Sequence, residues 1–547
     1  MNTNPVRTLN MQSQHDDAAR VSAYHERSKH AFGRYAASLG YLDWATQPDP
    51  FRRFDGASLT PLPFSADLIA TPYEALYAAD AAAPRPVDAE SLGALFELSL
   101  GLSAWKSAGG TRWALRNNPS SGNLHPTEGY LVCAELPGIQ AGVHHYAPAI
   151  HALEHRCAFQ PSIRDAVVIG LTSIHWREAW KYGERAYRYC QHDVGHAIAA
   201  VRFAAAALGW KAALLPSASD SEIAGLLGLD RPQDFVEAED ESPDALLLVS
   251  PRPTTTPDTE PLARLASTGA WTGVANRLSV THHPWPVIEE TAQAAVKPAT
   301  HEVSPSTRPR VDLPAAYGER AIDIVRKRRS AQAFDPRRTL KADSFFSIVD
   351  RLATRDAAPF DALPWDPLVH PVIAVHRVDD LAPGLYSVMR SNQTLNRLKS
   401  ACSASFDWSV EYDAPGVTLY HLQDGDYREA MRLVSCTQDI ASHGFFTLGM
   451  VAEFDPVIRE GGPWWYRRLF WEAGVIGQAL YLEAEAQGVR GTGIGCYLDD
   501  AFHRLLGLET TEFQSMYHFT VGYPIEDERL LTEPPYAHLE RERGGHR

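Results

Sequence analysis

The second half of the chain repeats part of the first half at one constant separation. Residues 183–229 align without a gap with residues 462–508, 279 positions later, and both stretches end in L-L-G-L. The residues that both copies keep are Gly183 and Gly462, Tyr187 and Tyr466, Arg188 and Arg467, Gly195 and Gly474, Gly209 and Gly488, and Asp220 and Asp499. A repeat of this length indicates two copies of one fold in a single polypeptide, a covalent pseudo-dimer. Such a chain can build a site between its copies, and each copy need keep only its own share.

Length and charge limit the function classes. The 547 residues suffice for two domains that each have a core. The formal net charge of −16 disfavours binding to nucleic acid or to an anionic membrane. The chain has no run of eighteen apolar residues, and its polar N-terminus lacks the apolar core of a signal peptide. The six cysteines form no C-x-x-C pair, which predicts buried thiols and a cytoplasmic protein.

Composition and periodicity divide the chain into five segments. We expect an N-terminal extension (1–85), a first copy (86–250), a Pro- and Thr-rich connector (251–317), a second copy (318–535) and a polar tail (536–547). Apolar spacing predicts helices over 91–100, 193–208, 343–351 (with Asp343 as N-cap) and 464–487. It predicts strands over 130–136, 245–250, 368–378, 417–422 and 516–521. This mixture indicates an α+β or α/β fold.

The first candidate cluster is the loop R-N-N-P-S-S-G-N-L-H-P, residues 116–126, which precedes an apolar strand. Pro119 shapes the turn, and Ser120, Ser121 and Asn123 offer hydroxyl and amide groups that can hydrogen-bond a planar heterocycle. His125 follows in the same loop and could line a pocket. The composition alone also fits an ordinary turn.

The second candidate cluster is R-K-R-R-S, residues 326–330, at the end of a helix in copy two. Arginine side chains bind phosphate oxygens through two parallel hydrogen bonds, so this run can hold a phosphate. A basic run at a helix C-terminus is also favoured by the helix dipole alone.

The third candidate cluster is W-K-Y-G-E-R-A-Y-R-Y, residues 180–189. The adjacent Lys181 and Tyr182 could serve as a proton-transfer pair. At the repeat separation these positions become Glu460 and Gly461, so only copy one has the pair. Residues that both copies keep are expected to be structural, and residues private to one copy are candidates for function.

Together these clusters resemble the nitroreductase-like flavin enzymes, and specifically the SagB/ThcOx/McbC-type dehydrogenases. In copy one, P-S-S-G-N-L-H-P-T-E-G-Y-L-V and K-Y-G-E-R-A-Y-R-Y followed by D-V-G-H are similar to segments of that family. In copy two, R-R-S-A-Q-A-F resembles its opening motif, and G-T-G-I-G through V-G-Y-P-I-E-D-E-R resembles its closing segment. The resemblance implies an α+β fold of two fused nitroreductase-like domains, with FMN bound at the interface between them.

The resemblance also implies which residues hold the cofactor. The expected FMN contacts are Pro119, Ser120, Ser121 and Asn123 from copy one, and Arg328, Arg329, Ser330, Gln332, Gly493, Gly495 and Arg529 from copy two. Gln332 stands where many relatives carry a basic residue. Copy one lacks an R-R-S motif and copy two lacks a P-S-x-x-N loop, so the losses are complementary. We therefore expect one complete FMN site, with the second one empty.

The resemblance leaves the reaction open. Lys181 and Tyr182 match the lysine–tyrosine pair with which azole-forming members remove a proton while flavin takes a hydride. One interpretation is oxidation of a small-molecule or peptide substrate, such as azoline to azole, with oxygen as acceptor. Alternatives are an NAD(P)H-dependent nitro or quinone reductase and a flavin-free scaffold of a biosynthetic complex. The chain could act as a monomeric pseudo-dimer or form homo-oligomers.

A zinc site is the main competing motif. His151 and His155 in H-A-L-E-H have the H-x-x-E-H spacing, but they fall in a predicted strand and no third ligand is evident. We therefore expect no metal.

Overall fold

The structure is a computed structural model that describes residues 5–78, 82–301, 308–310 and 318–539. The N-terminal part and the first hairpin comprise α1 (Pro5–Arg27), β1 (Phe54–Asp55), β2 (Ser58–Pro61), α2 (Ala89–Ser99), β3 (Leu102–Ala108) and β4 (Thr111–Arg116). The rest of copy one comprises β5 (Thr127–Cys133), β6 (Gly142–Ala147), β7 (Ala152–Ala158), β8 (Val167–Ser173), α3 (His175–Tyr182), α4 (Ala186–Ala207), β9 (Lys211–Leu214), α5 (Asp220–Leu227) and β10 (Ser242–Ser250).

The connecting region and copy two follow. The connecting region comprises α6 (Thr259–Ser267), β11 (Ala270–Trp271), β12 (Val274–Ala275) and α7 (Pro286–Ala294). Copy two comprises α8 (Ala321–Lys327), α9 (Ala342–Asp350), β13 (Val369–Val375), β14 (Gly384–Met389), α10 (Asn392–Ala401), β15 (Ser409–Ala414), β16 (Val417–Asp424), α11 (Arg428–Val434), α12 (Ile440–His443), β17 (Phe446–Glu453), α13 (Asp455–Gly461), α14 (Trp465–Ala486), β18 (Arg490–Ile494), α15 (Asp499–Leu506), β19 (Phe513–Gly522) and β20 (Leu531–Glu533).

Each copy is built on one antiparallel sheet with the same internal order. The first sheet runs β11-β7-β6-β5-β8-β10-β9, and β2 also pairs with β7. The second sheet runs β15-β16-β14-β13-β17-β19-β18. Six consecutive strands, from β7 to β9 in the first sheet and from β16 to β18 in the second, correspond one to one, which confirms the α+β class and the two copies.

The repeat marks the contact between the copies. Helices α4 and α14, whose bounds differ by the repeat separation, pack against each other along their length. They cross at Gly195 and Gly474, where a Cβ atom added to either residue would lie 2.8 Å from the Cα of the other. Side chains cannot intervene at this crossing, so glycine is required on both sides.

Two reciprocal ion pairs close the same interface. Arg188 of copy one donates to Asp499 of copy two at 2.7 Å, and Arg467 of copy two donates to Asp220 of copy one at 2.8 Å. All four side chains are buried. This exchange of equivalent partners is what a two-fold axis between the copies produces, and it supports the structural interpretation of the shared residues.

The N-terminal extension contacts both copies, in line with a segment that wraps the core. Arg27 donates to Glu184 of copy one, and Lys29 donates to Asp500 of copy two. Strand β2 extends the edge of the first sheet.

Several sequence expectations are corrected. Helix α4 begins at Ala186, not at residue 193, and the N-cap of α9 is Lys341 rather than Asp343. Cys436 and Cys496 form a disulfide, contrary to the expectation of free thiols, whereas the other four cysteines are free and buried. Part of the cysteine expectation is therefore wrong, because spacing does not show which residues the fold brings together.

The connector and the tail are more ordered than their composition indicates. The connector carries α6 and α7, and its β11 joins the first sheet. In the tail, Tyr536 is buried and its hydroxyl accepts a hydrogen bond from the Leu102 amide at 3.0 Å. The expected start of copy two at 318 follows residues 311–317, which lie outside the described residues, as do 302–307 of the connector and 540–547 of the tail.

Candidate active site

A cavity of about 310 Å³ lies between the two copies and collects most of the expected cofactor residues. Copy one contributes the loop after β4, and copy two contributes the segment after α8 together with β18. The expected residues that line it are Pro119, Ser120, Ser121, Asn123, Arg328, Arg329, Ser330, Gln332 and Gly493. Residues 200 positions apart in sequence thus meet in one volume, within the size range of small-molecule sites (about 300–1,000 Å³).

The copy-one loop is held in a tight left-handed turn. Gly122 and Asn123 have φ angles of 63° and 57°, a region that favours glycine and asparagine. The Ser120 hydroxyl accepts a hydrogen bond from the His125 amide at 2.8 Å, which fixes the loop from within. The Asn123 side chain has no hydrogen-bond partner among the described residues and lines the cavity. Its amide group is therefore free to bind a ligand.

The copy-two wall is basic. Arg328 is buried and donates to the Arg116 carbonyl at 3.0 Å, and Arg329 donates to the Ser103 carbonyl at 2.9 Å. Burial and the neighbouring Arg328 charge lower the pKa of Arg329 to about 10. In the described part of the chain, no carboxylate forms an ion pair with either arginine. A buried cation without an anion is costly, so this wall favours an anionic ligand.

A hydrogen-bonded tyrosine joins the two copy-two segments. The Tyr481 hydroxyl shares a hydrogen bond with the Ser330 hydroxyl at 2.8 Å and accepts one from the Gly493 amide at 2.9 Å. Tyr481 comes from α14, so the interface helix positions the serine and β18 together.

Lys181 and Tyr182 lie directly behind the copy-one loop. A Cβ atom added to Gly122 would lie 2.8 Å from the Tyr182 hydroxyl oxygen and 3.0 Å from Lys181 Nζ. The Tyr182 ring also contacts Tyr189, with 4.4 Å between the ring centroids. Burial, followed by the nearby Glu178 charge, raises the pKa of Tyr182 well above its usual range. The pair is therefore beside the half-site that copy one retains.

Two expected cofactor residues lie outside the cavity. The Arg529 side chain is 87% exposed and pairs with Asp527 at 2.7 Å, so a local ion pair holds it in solvent. Gly495 packs against Tyr189, and its carbonyl accepts hydrogen bonds from Arg185 at 3.2 and 3.3 Å. In this structure neither residue lines the cavity.

His125 lines the cavity but is held by the backbone. Its Nε2 atom contacts the Ala114 carbonyl at 3.1 Å, and Nδ1 is buried without a partner among the described residues. Burial lowers the pKa of His125 well below its usual range, so the imidazole is neutral.

Sequence reasoning missed several residues that line the cavity. They are Lys106, Tyr481, Arg490 and Tyr517, together with Arg116, Asp193 and His196, which belong to the predicted motifs but were not predicted as site residues. Arg490 could have been found, since it directly precedes G-T-G-I-G in the closing segment. Lys106 belongs to the hairpin β3–β4.

The equivalent position on the other side of the pseudo-axis is filled by side chains. Arg202, the counterpart of Tyr481 at the repeat separation, donates twice to Asp361 at 2.8 Å. The short turn Phe360–Ala362 packs against β9, the counterpart of β18. Phe360 and Trp365 are both buried. Copy two thus has apolar packing where copy one has its polar loop, and its Asp361 pairs with Arg202 of copy one.

No helix among the described residues has the length and apolar character that a membrane crossing requires. In the same residues, no group of three or more His, Cys, Asp or Glu side chains could hold a metal ion. The H-A-L-E-H segment leads into β7, and His151, just before this strand, has its Nδ1 atom 2.9 Å from the Tyr146 hydroxyl of β6.

Known proteins are similar to parts of this chain in sequence and to the whole of it in fold. Trifolitoxin-processing protein TfxB of Rhizobium leguminosarum is 33% identical over 139 residues, and the match covers 22% of this chain and 36% of TfxB. Putative nitroreductase MJ1384 of Methanocaldococcus jannaschii is 27% identical over 122 residues, covering 20% of this chain and 62% of that protein. The chain thus spans less than two thirds of either curated relative.

A solved structure and a family model extend the match to both copies. The crystal structure of a putative nitroreductase from Anabaena variabilis superposes with a TM-score of 0.64 and 21% identity, covering 92% of this chain and 99% of that one. The fold of the whole tandem is therefore shared. The model of the nitroreductase family matches residues 82–238 and 325–523, more than half of the sequence. The chain belongs to the nitroreductase family of oxidoreductases, with one family segment in each of its two copies.

Proposed function

We propose that the chain binds one FMN in the cavity between its copies and is a flavin-dependent oxidoreductase of the SagB type. The observation that carries this proposal is the pair of inward arginines, Arg328 and Arg329, which have no carboxylate partner in the described residues. A phosphate group would supply the missing anion through charged hydrogen bonds, each worth about 1.5–3 kcal/mol.

The residues present fit the remaining parts of the cofactor. Buried Arg328 Nε has no hydrogen-bond partner in the described residues and can donate to a phosphate oxygen. Ser330 would bind a ribityl hydroxyl, while Asn123 and the Ser121 hydroxyl would bind polar edges of the ring. Gln332 is exposed at the cavity and offers a neutral amide rather than a charge.

Flavin supplies the hydride chemistry, accepting or donating a hydride at N5. The chain's own residues supply position and proton transfer. Lys181 and Tyr182, behind Gly122, would take a proton from the substrate. The cavity walls from both copies would exclude water from the flavin ring.

Oxidation is the direction that we favour. TfxB, the relative with 33% identity, is named for the processing of trifolitoxin. A comparable role here is the oxidation of a small-molecule or peptide-derived substrate, such as an azoline ring, with oxygen reoxidising the flavin. Only copy one has a Lys–Tyr pair, and it lies beside the retained half-site, which agrees with a step that needs proton removal.

The first test is the absorbance spectrum of the purified chain, with the FMN content measured after denaturation. We expect about one FMN per chain, since the second position is filled. Arg328→Ala should weaken FMN binding about 10- to 100-fold through the loss of charged hydrogen bonds. The matched control is Lys327→Ala, because that neighbouring side chain is 58% exposed and outside the cavity.

The outcomes separate the alternatives. Two FMN per chain would contradict the single site. No flavin after reconstitution would favour a scaffold role. Flavin that is reduced rapidly by NAD(P)H and reoxidised by nitroaromatics or quinones, with no azoline oxidation, would favour a reductase.

A further inference from the structure

Two carboxyl groups lie buried together behind the copy-one loop. Glu178 on α3 is completely buried, and Asp193 on α4 is 2% exposed. The Ser120 hydroxyl donates to Glu178 Oε1 at 3.4 Å. The Ser121 amide donates to Asp193 Oδ1 at 3.4 Å.

The remaining oxygen of each carboxyl has no partner. Glu178 Oε2 and Asp193 Oδ2 are both buried and make no hydrogen bond within the described residues. Neither group forms an ion pair there. An ionised carboxylate in this position would lack water and an ion-pair partner, which is costly.

Two such groups side by side cannot both be ionised at neutral pH. Burial, followed by the charge of Asp193, raises the pKa of Glu178 well above its usual range. Burial also raises the pKa of Asp193 well above its usual range. Paired carboxyl groups in a shared site titrate as a unit and retain a proton between them.

The groups that face the pair come from three elements. Helix α3 contributes Lys181 and Tyr182, helix α4 contributes Tyr189 and Cys190, and strand β19 contributes Tyr517. Burial raises the pKa of each of these phenols and of the thiol, so they are neutral at pH 7.

Lys181 also lies close to the pair. It follows Glu178 by three residues on α3, and helical residues at that spacing lie on one face. The positive charge of Lys181 opposes the rise in the Glu178 pKa, which shows that the two groups are close.

We propose that Glu178 and Asp193 hold one shared proton behind the flavin-side loop and receive a second proton that Lys181 and Tyr182 remove from the substrate. This inference deepens the proposed function and rests on it. The substrate C–H bond would break, and its electron pair would leave as a hydride to the flavin. The proton from the adjacent substrate N–H or C–H bond would pass to the oxygen of the neutral Tyr182 phenol, beside Lys181, as the phenol proton moves to the ionised member of the pair. Oxygen would then take up two electrons, the hydride-derived proton and the proton stored on the pair, which gives hydrogen peroxide and returns the pair to one proton.

The pair acts through Lys181 and Tyr182, so Glu178 and Asp193 are positioning residues. A proton-accepting pair inside the protein lets the lysine and tyrosine return to their starting state without water entering the cavity. The asymmetry of the copies supports this role. The counterpart of Asp193 is Glu472, which is paired with Arg390 in copy two.

The direct test is infrared spectroscopy of the full chain stripped of any flavin. At pH 8, we expect the wild type to show the carbonyl stretch of a protonated carboxylic acid, and the double variant Glu178→Gln/Asp193→Asn to lose it. Asp244 does not interfere, because burial raises its pKa only to about 6. Glu90→Gln is the control, since Glu90 is 60% exposed on α2. No carboxylic acid band in the wild type, or an unchanged band in the double variant, would overturn the shared proton.

A second readout tests the transfer. The rate of flavin reduction by substrate in a single turnover should fall about 100-fold or more in Glu178→Gln, and its pH profile should shift relative to the wild type. An unchanged pH profile with unchanged FMN content would overturn the transfer role. The infrared measurement needs no cofactor, so it can be interpreted even if the chain does not bind FMN. If the chain binds FMN but shows no carboxylic acid band, the shared proton is refuted and the proposed FMN site is not.

Discussion

The glycine crossing between α4 and α14 provides the sharpest test of the tandem architecture. Gly195→Ala adds a Cβ atom 2.8 Å from the Cα atoms of both Trp471 and Gly474. Carbon atoms in contact prefer separations of about 3.5–4.0 Å, so the new methyl group overlaps backbone. No side-chain rotation can relieve that overlap, and the two helices must move apart.

The expected cost combines two opposing effects. Overpacking typically costs about 1–3 kcal/mol of stability. The added methyl group meets backbone atoms, which cannot rotate away, so we expect a cost of about 3 kcal/mol at this site. Alanine is a better helix former than glycine by about 1 kcal/mol. The net loss of stability for Gly195→Ala is therefore about 2 kcal/mol.

Gly225→Ala is the matched control because it makes the same change in α5 without the contact. The nearest atoms to its added Cβ are 3.8 Å away, which is an ordinary separation. This variant should gain about 1 kcal/mol from helix propensity alone. The two alanine variants should therefore differ by about 3 kcal/mol in the free energy of unfolding.

Urea unfolding followed by circular dichroism, at one protein concentration, measures this difference, and an FMN titration measures its effect on the site. Gly195 lies between Asp193 and His196, which line the cavity, so separation of the helices should also weaken FMN binding. If Gly195→Ala matches Gly225→Ala in both stability and FMN affinity, the helices do not meet at this crossing and the proposed interface is wrong.

Two further predictions concern charge. Burial lowers the pKa of His145, but hydrogen bonds to Glu128 and Glu154 raise it overall to about 9. Its stabilisation is therefore complete below about pH 6.5 and lost as the pH rises through 9. The urea midpoint should fall more between pH 7 and 10 in the wild type than in His145→Gln, and equal falls would refute this. Arg490→Ala should weaken FMN binding in titrations, whereas Arg529→Ala should leave it unchanged; the reverse order would restore Arg529 to the site.

The fold was accessible from the sequence because the repeat carries structural residues. The pairs Gly195 and Gly474, and Arg188 and Arg467, are shared between the copies because they form the interface itself. The bounds of α5 and α15 also differ by the repeat separation. Sequence identity at a fixed offset thus predicted which residues are structural, whereas the structure shows which of them meet.

Periodicity failed where a helix is buried on all sides. The first turns of α4 contain Arg188, His192 and Asp193, which the sequence suggests should face solvent. All three are buried between the copies, so no polar face exists and the helix start was placed seven residues late. The same cause hid the carboxyl pair, because nothing in the sequence shows that Glu178 and Asp193 share one pocket.

The candidate site was accessible in part. The loop with Ser120 and Asn123 and the run with Arg328 face one cavity, as the complementary losses require. Arg529 lies outside the cavity, because its spacing from Asp527 allows a local ion pair that competes with any ligand contact.

The distribution of unsatisfied groups is the strongest physical reason to place function on one side of the pseudo-axis. Buried arginine without a carboxylate, and buried carboxyl groups without a cation, both reduce stability. At the filled position, Arg202 is neutralised by Asp361, and Phe360 fills space that a ligand would need. In a homodimer, every substitution changes both sites, so such packing could not arise at one site alone. Fusion of the two copies allowed one site to become stabilising core while Arg328 remained unpaired at the other, and unpaired groups of this kind are expected where a ligand completes them.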